Sequence, residues 1–172
     1  MAFEFICLRE EDGTWERFLI DWKSQCADLD EDFSIYENEP VGVVHDLVAG
    51  EVRNDAAAYA LHDGTRFCAM CQVNCTPLPG YIGNVLRVRM LYLSPYFDFG
   101  DFGLEDYSKI IIRIFSEIIK LSDTRMESKH IKFHLRSPAD RQFFASFGNV
   151  LDTQRVFGSV STRGSWLYIT KN

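Results

Sequence analysis

Between positions 85 and 121 the sequence passes from an apolar strand through a glycine-punctuated loop into a long amphipathic helix, and no other feature limits the available folds as much. Residues 85–93 read Val-Leu-Arg-Val-Arg-Met-Leu-Tyr-Leu, broken only by Arg87 and Arg89, which suits an inner strand covered on both faces. Ser94 and Pro95 end it, because proline has no N–H to give to a ladder. A loop, residues 96–103, follows. From Leu104 apolar side chains recur at Tyr107, Ile111, Ile114, Phe115, Ile118 and Leu121, the 3.6-residue period of a helix. Ile110, Ile112 and Ile119 widen that stripe until it needs a sheet to cover it.

A strand that runs through a loop into a helix N-terminus has the outline of an anion cradle, since the free N–H groups of the first turn and the helix dipole both point into the loop. The charge of the whole chain points elsewhere. A formal net charge of -7 and a pI near 5.1 argue against a general nucleic-acid or anionic-membrane partner, because such binding depends on clustered Lys and Arg. No stretch approaches the roughly 20 apolar residues of a membrane span. The N-terminus, without a basic leader, does not read as a secretion signal. Five cysteines, an odd number in or beside apolar segments, fit reduced thiols, and together these features place the chain in the cytoplasm.

In chain order the pattern predicts a strand over residues 3–8 and a helix from Thr14 with Trp15, Phe18, Leu19, Trp22 and Cys26 on one face. After an acidic run, a second helix opens at Pro40 and stops near Gly50. Strands at 57–61 and 66–75 are joined by an Asp-Gly hairpin signal. Past the central helix, residues 130–136 alternate as a strand with one buried face. A helix from Pro138 is stopped by Gly148, and strands at 154–160 and 165–170 close the chain. The core is expected in Leu91, Leu93, Ile111, Ile114, Phe115, Ile118, Phe133 and Leu135. With 172 residues and no linker, the whole chain, 1–172, reads as one domain.

This order resembles that of the GNAT superfamily of acyl-CoA-dependent N-acyltransferases over nearly the whole chain. Two local motifs add to it. The family's pyrophosphate loop, Arg/Gln-x-x-Gly-x-Gly/Ala, is matched by Pro95 and Gly103, while Asp98 stands on its Arg/Gln and Asp101 on its middle glycine. Residues 137–148 are similar to the segment Asn-x-x-Ala-x-x-x-Tyr-x-x-x-Gly-Phe, with Ser137 at the Asn and Phe144 at the Tyr.

The resemblance implies an α/β (α+β) fold with a mixed, mostly antiparallel central sheet and helices on both faces. It implies acetyl-CoA as co-substrate, held by Leu91 and Leu93 of the strand and by Asp98, Phe99, Gly100, Asp101, Phe102 and Gly103 of the loop. It also implies an amine acceptor. The acids Asp28, Asp30, Glu31, Asp32, Glu37 and Glu39, in the region that faces the acceptor in this family, favour a cationic one. Phe144 has no hydroxyl to protonate a leaving thiolate, so Tyr92 and Ser137, with Tyr96 and Tyr107 as further candidates, are the side chains left for proton transfer. The rival reading is a GNAT-fold protein that has lost catalysis and serves in binding or assembly, for example one encoded by a phage. No metal site is expected: Cys68 and Cys71 fall on opposite faces of a strand, and His130 and His134 have no third ligand nearby.

Overall fold

The computed structural model describes residues 3–136 and 138–172. Strand β1 (Glu4–Cys7), β2 (Ala56–His62), β3 (Phe67–Pro77) and β4 (Asn84–Leu93) form an antiparallel ladder. The next strand, β5 (His130–His134), is parallel to β4 and therefore needs a crossover. The long helix supplies it. Beyond β5 lie β7 (Trp166–Thr170) and then β6 (Ser159–Arg163), a C-terminal hairpin, so the sheet runs β1-β2-β3-β4-β5-β7-β6.

One face of the sheet is covered by α5 (Leu104–Ser122) and α6 (Pro138–Thr153). Ile111, Ile114, Phe115 and Ile118 are buried there with Leu86, Val88, Ile131, Phe133 and Leu167, as the helical period requires. The opposite face carries α1 (Thr14–Asp28), α2 (Ser34–Tyr36) and α3 (Gly42–Ala49). Their Trp15, Phe18, Trp22, Tyr36 and Val44 pack on Ala58, Ala60, Met70 and Tyr92. This second core takes no residue from β5, β6 or β7, so helices cover only the β1-to-β4 half of that face.

Buried polar groups fix α1 to the sheet. The Trp22 indole and the Gln25 amide both donate to the Phe67 carbonyl, at 3.2 and 3.1 Å, while Asp21 accepts from the Phe67 amide at 2.8 Å. Gln25 Oε1 also accepts from the Tyr96 amide at 3.1 Å, tying the same helix to the segment after β4.

Several boundaries differ from expectation. Helix α6 does not stop at Gly148 but runs to Thr153, and residues 154–158 are not strand. Gly148 serves packing instead: a Cβ there would stand 3.3 Å from Leu167 and 3.4 Å from Val160, so its absence lets the helix lie close on the hairpin. The segment after Pro95 is not all loop but opens with a short helix, α4 (Pro95–Phe99). Ahead of α3 a kinked segment, Glu37–Val41, follows α2. Leu91 and Leu93, expected in the core, are only partly buried, because the sheet opens beside them.

Candidate functional site

That opening has a backbone cause. β4 and β5 pair only from Val85 with His130 to Val88 with Phe133, and there the pairing ends. On the other side β4 carries a bulge: Gln72 faces Arg89 and Met70 faces Tyr92, so two steps on β3 are matched by three on β4. Met90 takes the left-handed conformation at φ 50°, uncommon and strained for a side-chain-bearing residue. The bulge bends β4 away from β5 and leaves Met90 and Leu91 out of register with either neighbour.

A wedge-shaped cavity of about 200 Å³ fills the gap. Leu91 and Leu93 from β4 and Ile111 from α5 give it an apolar wall, and Tyr92, Asp98, Tyr107, Arg136 and Asp140 bring the polar groups. Each phenol around it donates to a carboxylate: Tyr36 to Asp98 at 2.8 Å, Tyr92 to Glu39 at 2.7 Å, and Tyr107 to Asp140. The Arg136 guanidinium lies over the Tyr92 ring, 3.4 Å from its centre.

Burial raises the pKa of Asp98 above the ordinary value and the Asp140 charge adds to it, although the Tyr36 hydrogen bond and Arg136 pull the other way. The Asp98 side chain still keeps a solvent-exposed edge. Burial, then the Glu39 bond, pushes Tyr92 up to about 12. Tyr36 and Tyr107 are raised further, first by burial and then by their carboxylate partners. All three phenols are therefore neutral donors at physiological pH.

The loop that leads to α5 uses most of its amides on itself. Phe97 and Asp98 donate to the Ser94 carbonyl, Gly100 to that of Tyr96, and Phe102 to that of Gly100. The donors left over are the Asp101 amide and those that begin α5, at Gly103, Leu104 and Glu105. Gly103 is open, with nothing within 4 Å of where a Cβ would be, whereas a Cβ on Gly100 would lie 2.3 Å from the Tyr96 carbonyl oxygen and 2.4 Å from the Phe102 ring. An apolar groove of about 360 Å³, lined by Leu104, Phe143, Phe147 and Val150, lies between this helix start and α6. Tyr107 of the wedge meets Phe143 of the groove edge to face at 5.8 Å.

The structure thus brings Leu91, Tyr92, Leu93, Asp98 and Tyr107 of the sequence candidates together. It does not bring in the rest. Phe99 and Asp101 are on the outer surface, Phe102 packs on Tyr96 and Phe97, and the Tyr96 ring lies under Arg66. Ser137 lies outside the described residues. Asp98 is not part of the anion cradle, as its place in the sequence pattern suggested; it turns into the wedge toward Tyr36. Phe144 is 1% exposed among Phe133, Phe143 and Phe147, far from any proton-transfer role.

Sequence reasoning missed Tyr36, Arg136 and Asp140, and took Glu39 only as one acid among many. The one signal available for Arg136 and Asp140 was their position at the strand-to-helix junction after β5. Among the described residues no group of three His, Cys, Asp or Glu is placed to hold a metal ion, and no helix is long and apolar enough to cross a membrane. All five cysteines are free.

No protein-family model and no curated protein sequence matches the chain. Solved structures do. The chain is similar to a probable acetyltransferase from Staphylococcus epidermidis ATCC 12228, with a TM-score of 0.57 and 12% identity over 99% of this chain and 100% of that one. An N-acetyltransferase from Staphylococcus aureus Mu50 matches with a TM-score of 0.56 and 10% identity, over 99% and 98% of the two chains. An aminoglycoside acetyltransferase from an uncultured soil metagenomic sample matches with a TM-score of 0.50 and 12% identity, over 87% and 91%. At such identities the likeness establishes the fold, and the acetyltransferases share it.

Proposed function

We propose that this chain, whose fold is the GNAT fold, transfers an acyl group, most simply acetyl, from a coenzyme A thioester to a cationic amine. The observation that carries the reading is the parting of β4 from β5 at the Met90 bulge, which opens a wedge beside unpaired backbone. The groups around the wedge suit acyl-CoA. Free amides at Gly103, Leu104 and Glu105 and the open space at Gly103 fit a pyrophosphate, and the groove beside Phe143 and Phe147 offers apolar surface next to it. The acids nearby oppose this only in part, since Lys109 holds Glu105 and Asp106 in ion pairs at 3.1 and 3.4 Å. Bound there, acyl-CoA supplies an activated carbonyl carbon.

The residues then divide the work. Backbone amides of Met90 and Leu91, residues without a register partner on β3 or β5, polarise the carbonyl, and such donors typically contribute ~10²–10³ in rate. Asp98 and Glu39 attract the ammonium form of the acceptor. The raised pKa of Asp98 suits it as the base that takes the proton which must leave before nitrogen can attack. Tyr107, neutral and hydrogen-bonded to Asp140 in the wedge lining, returns a proton to the departing sulfur in this reading; Tyr92 is the alternative donor. Free thiols at all five cysteines favour a reducing, cytoplasmic setting.

Calorimetry with acetyl-CoA, followed by turnover of polyamines, lysine peptides and aminoglycosides, tests the reading. Binding with turnover of a cationic amine is expected. Absence of binding overturns it, and binding without turnover of any amine would favour the assembly role that the buried Phe144 suggests.

A further inference from the structure

Helices leave half of one sheet face uncovered, and the side chains there are unlike the rest of this acidic protein. The register aligns Arg87 of β4 with Lys132 of β5, Tyr168 of β7 and Ser161 of β6. The neighbouring row aligns His134, Trp166 and Arg163. Arg89 and Arg136 extend the surface toward the wedge. No Asp or Glu occupies any strand position on this open area, and among the described residues none of Arg87, Arg89, Lys132 and Arg163 takes part in an ion pair.

Cations and rings are interleaved. Lys132 Nζ lies 4.8 Å from the Trp166 ring centre and 4.6 Å from that of Tyr168, and Arg163 lies 5.9 Å from Tyr168. The His134 ring meets Trp166 at 4.8 Å. The field is positive enough to be felt locally: after burial, the Arg89 and Arg136 charges hold His134 below its ordinary pKa.

We infer that this open face binds single-stranded nucleic acid, its Arg and Lys side chains taking phosphates and Trp166 and Tyr168 stacking bases. Charge complementarity selects an anionic partner, and a second copy meeting this face through a two-fold axis would set cation against cation. The rings select among anions. A sheet face with half-exposed Trp166 and Tyr168 offers platforms to unstacked bases, whereas a duplex hides its base faces and presents phosphates alone. The inference does not rest on acyl transfer, and most of these residues lie outside the wedge.

The test is fluorescence anisotropy of the full chain with a fluorescein-labelled single-stranded 12-mer of oligouridylate. Five cations neutralising phosphates predict a log–log salt slope of about -3.5, hence about a 100-fold weakening between 50 and 200 mM salt. Trp15 and Trp22 are 4% and 0% exposed, so a change in tryptophan emission on binding reports Trp166. Arg89→Glu with Arg163→Glu, both at exposed positions, should weaken binding at least about tenfold and lower the slope by about 1.4. Trp166→Ala should weaken it ~5- to 150-fold without changing the slope.

Lys132→Gln serves as a second cation variant if the double one misfolds by circular dichroism. Equal affinity for a 12-bp duplex, or for polyphosphate with no change in emission, overturns the inference. So does a dimer in sedimentation that the double variant dissolves.

Discussion

Phe144→Tyr restores the phenol that the resemblance asks for at this position, and the fold predicts that it brings a cost in stability and no catalytic gain. The Phe144 ring is 1% exposed, with ring centres of Phe143, Phe133 and Phe147 at 5.2, 5.8 and 6.3 Å. A hydroxyl added inside this cluster of rings gives up its water. Leaving such a group unpaired costs about 1–3 kcal/mol. For a chain of this size each kcal/mol lowers the melting temperature by ~2–4 °C, so a fall of ~2–12 °C is expected by calorimetry. Acetyl transfer, followed by release of free thiol, should stay within about twofold. The control is Phe144→Leu, which removes the ring without adding a polar group and loses stability through packing alone. An unchanged melting temperature with a tenfold gain in turnover would refute the reasoning, because it would mean that the para edge of the ring reaches the wedge.

Four further outcomes are expected. Gly100→Ala forces a methyl group against the Tyr96 carbonyl and should lower the melting temperature by several degrees, whereas Gly103→Ala should melt like the parent. Ile114→Ala, at 1% exposure beneath the sheet, should cost about 2–5 kcal/mol in urea unfolding, and a loss below about 0.5 would contradict the packing. Asp98→Asn should reduce acyl transfer ~10²- to 10⁴-fold, and parent kcat/KM should fall as the pH drops through a value above the ordinary 3.8 of an aspartate, a limb that the variant lacks.

His134 titrates below its usual 6.5, lowered by burial, Arg89 and Arg136 against a raising Asp140. The unfolded chain therefore binds the extra proton first, and stability should decline as the pH falls from about 6.5 toward the folded value. Oligonucleotide affinity, measured by anisotropy, should rise over the same window, since phosphate favours the charged ring.

The central strand, the helix after it and the core between them were legible in sequence because periodicity and burial have the same cause there: Ile111, Ile114, Phe115 and Ile118 recur at the spacing of one helix face, and all are buried. The bulge was not legible. Nothing in a Met between Arg89 and Leu91 announces a positive φ, a conformation usually signalled by glycine or asparagine. Gly148 was misread for a related reason, since a glycine that ends a helix and one that lets a helix lie close on a strand look alike in sequence.

The wedge joins Glu39 to Tyr92 and Tyr36 to Asp98 across 53 and 62 positions, pairings that only the docking of the kinked segment on β4 and of α2 on α4 can create. Net charge hid something else. The value of -7 is a sum and carries no geometry, so it gave no hint that Arg87, Lys132 and Arg163, scattered over 77 positions, are gathered by strand register.

The sheet is clad on both sides only over its N-terminal half, and this asymmetry bears on how the molecule breathes. β2 and β3 lie between two cores, so exposing their amides to solvent requires dismantling one of them. β5, β7 and β6 rest on α5 and α6 alone, with their other surface already wet. Hydrogen exchange should therefore grade across the sheet, slowest in β2 and β3 and fastest toward β6, with the hairpin peeling away as a unit of low opening free energy before the rest unfolds. The strands of the open face are then also the most loosely held, and an oligonucleotide spread over them would act as the missing layer, slowing their exchange most.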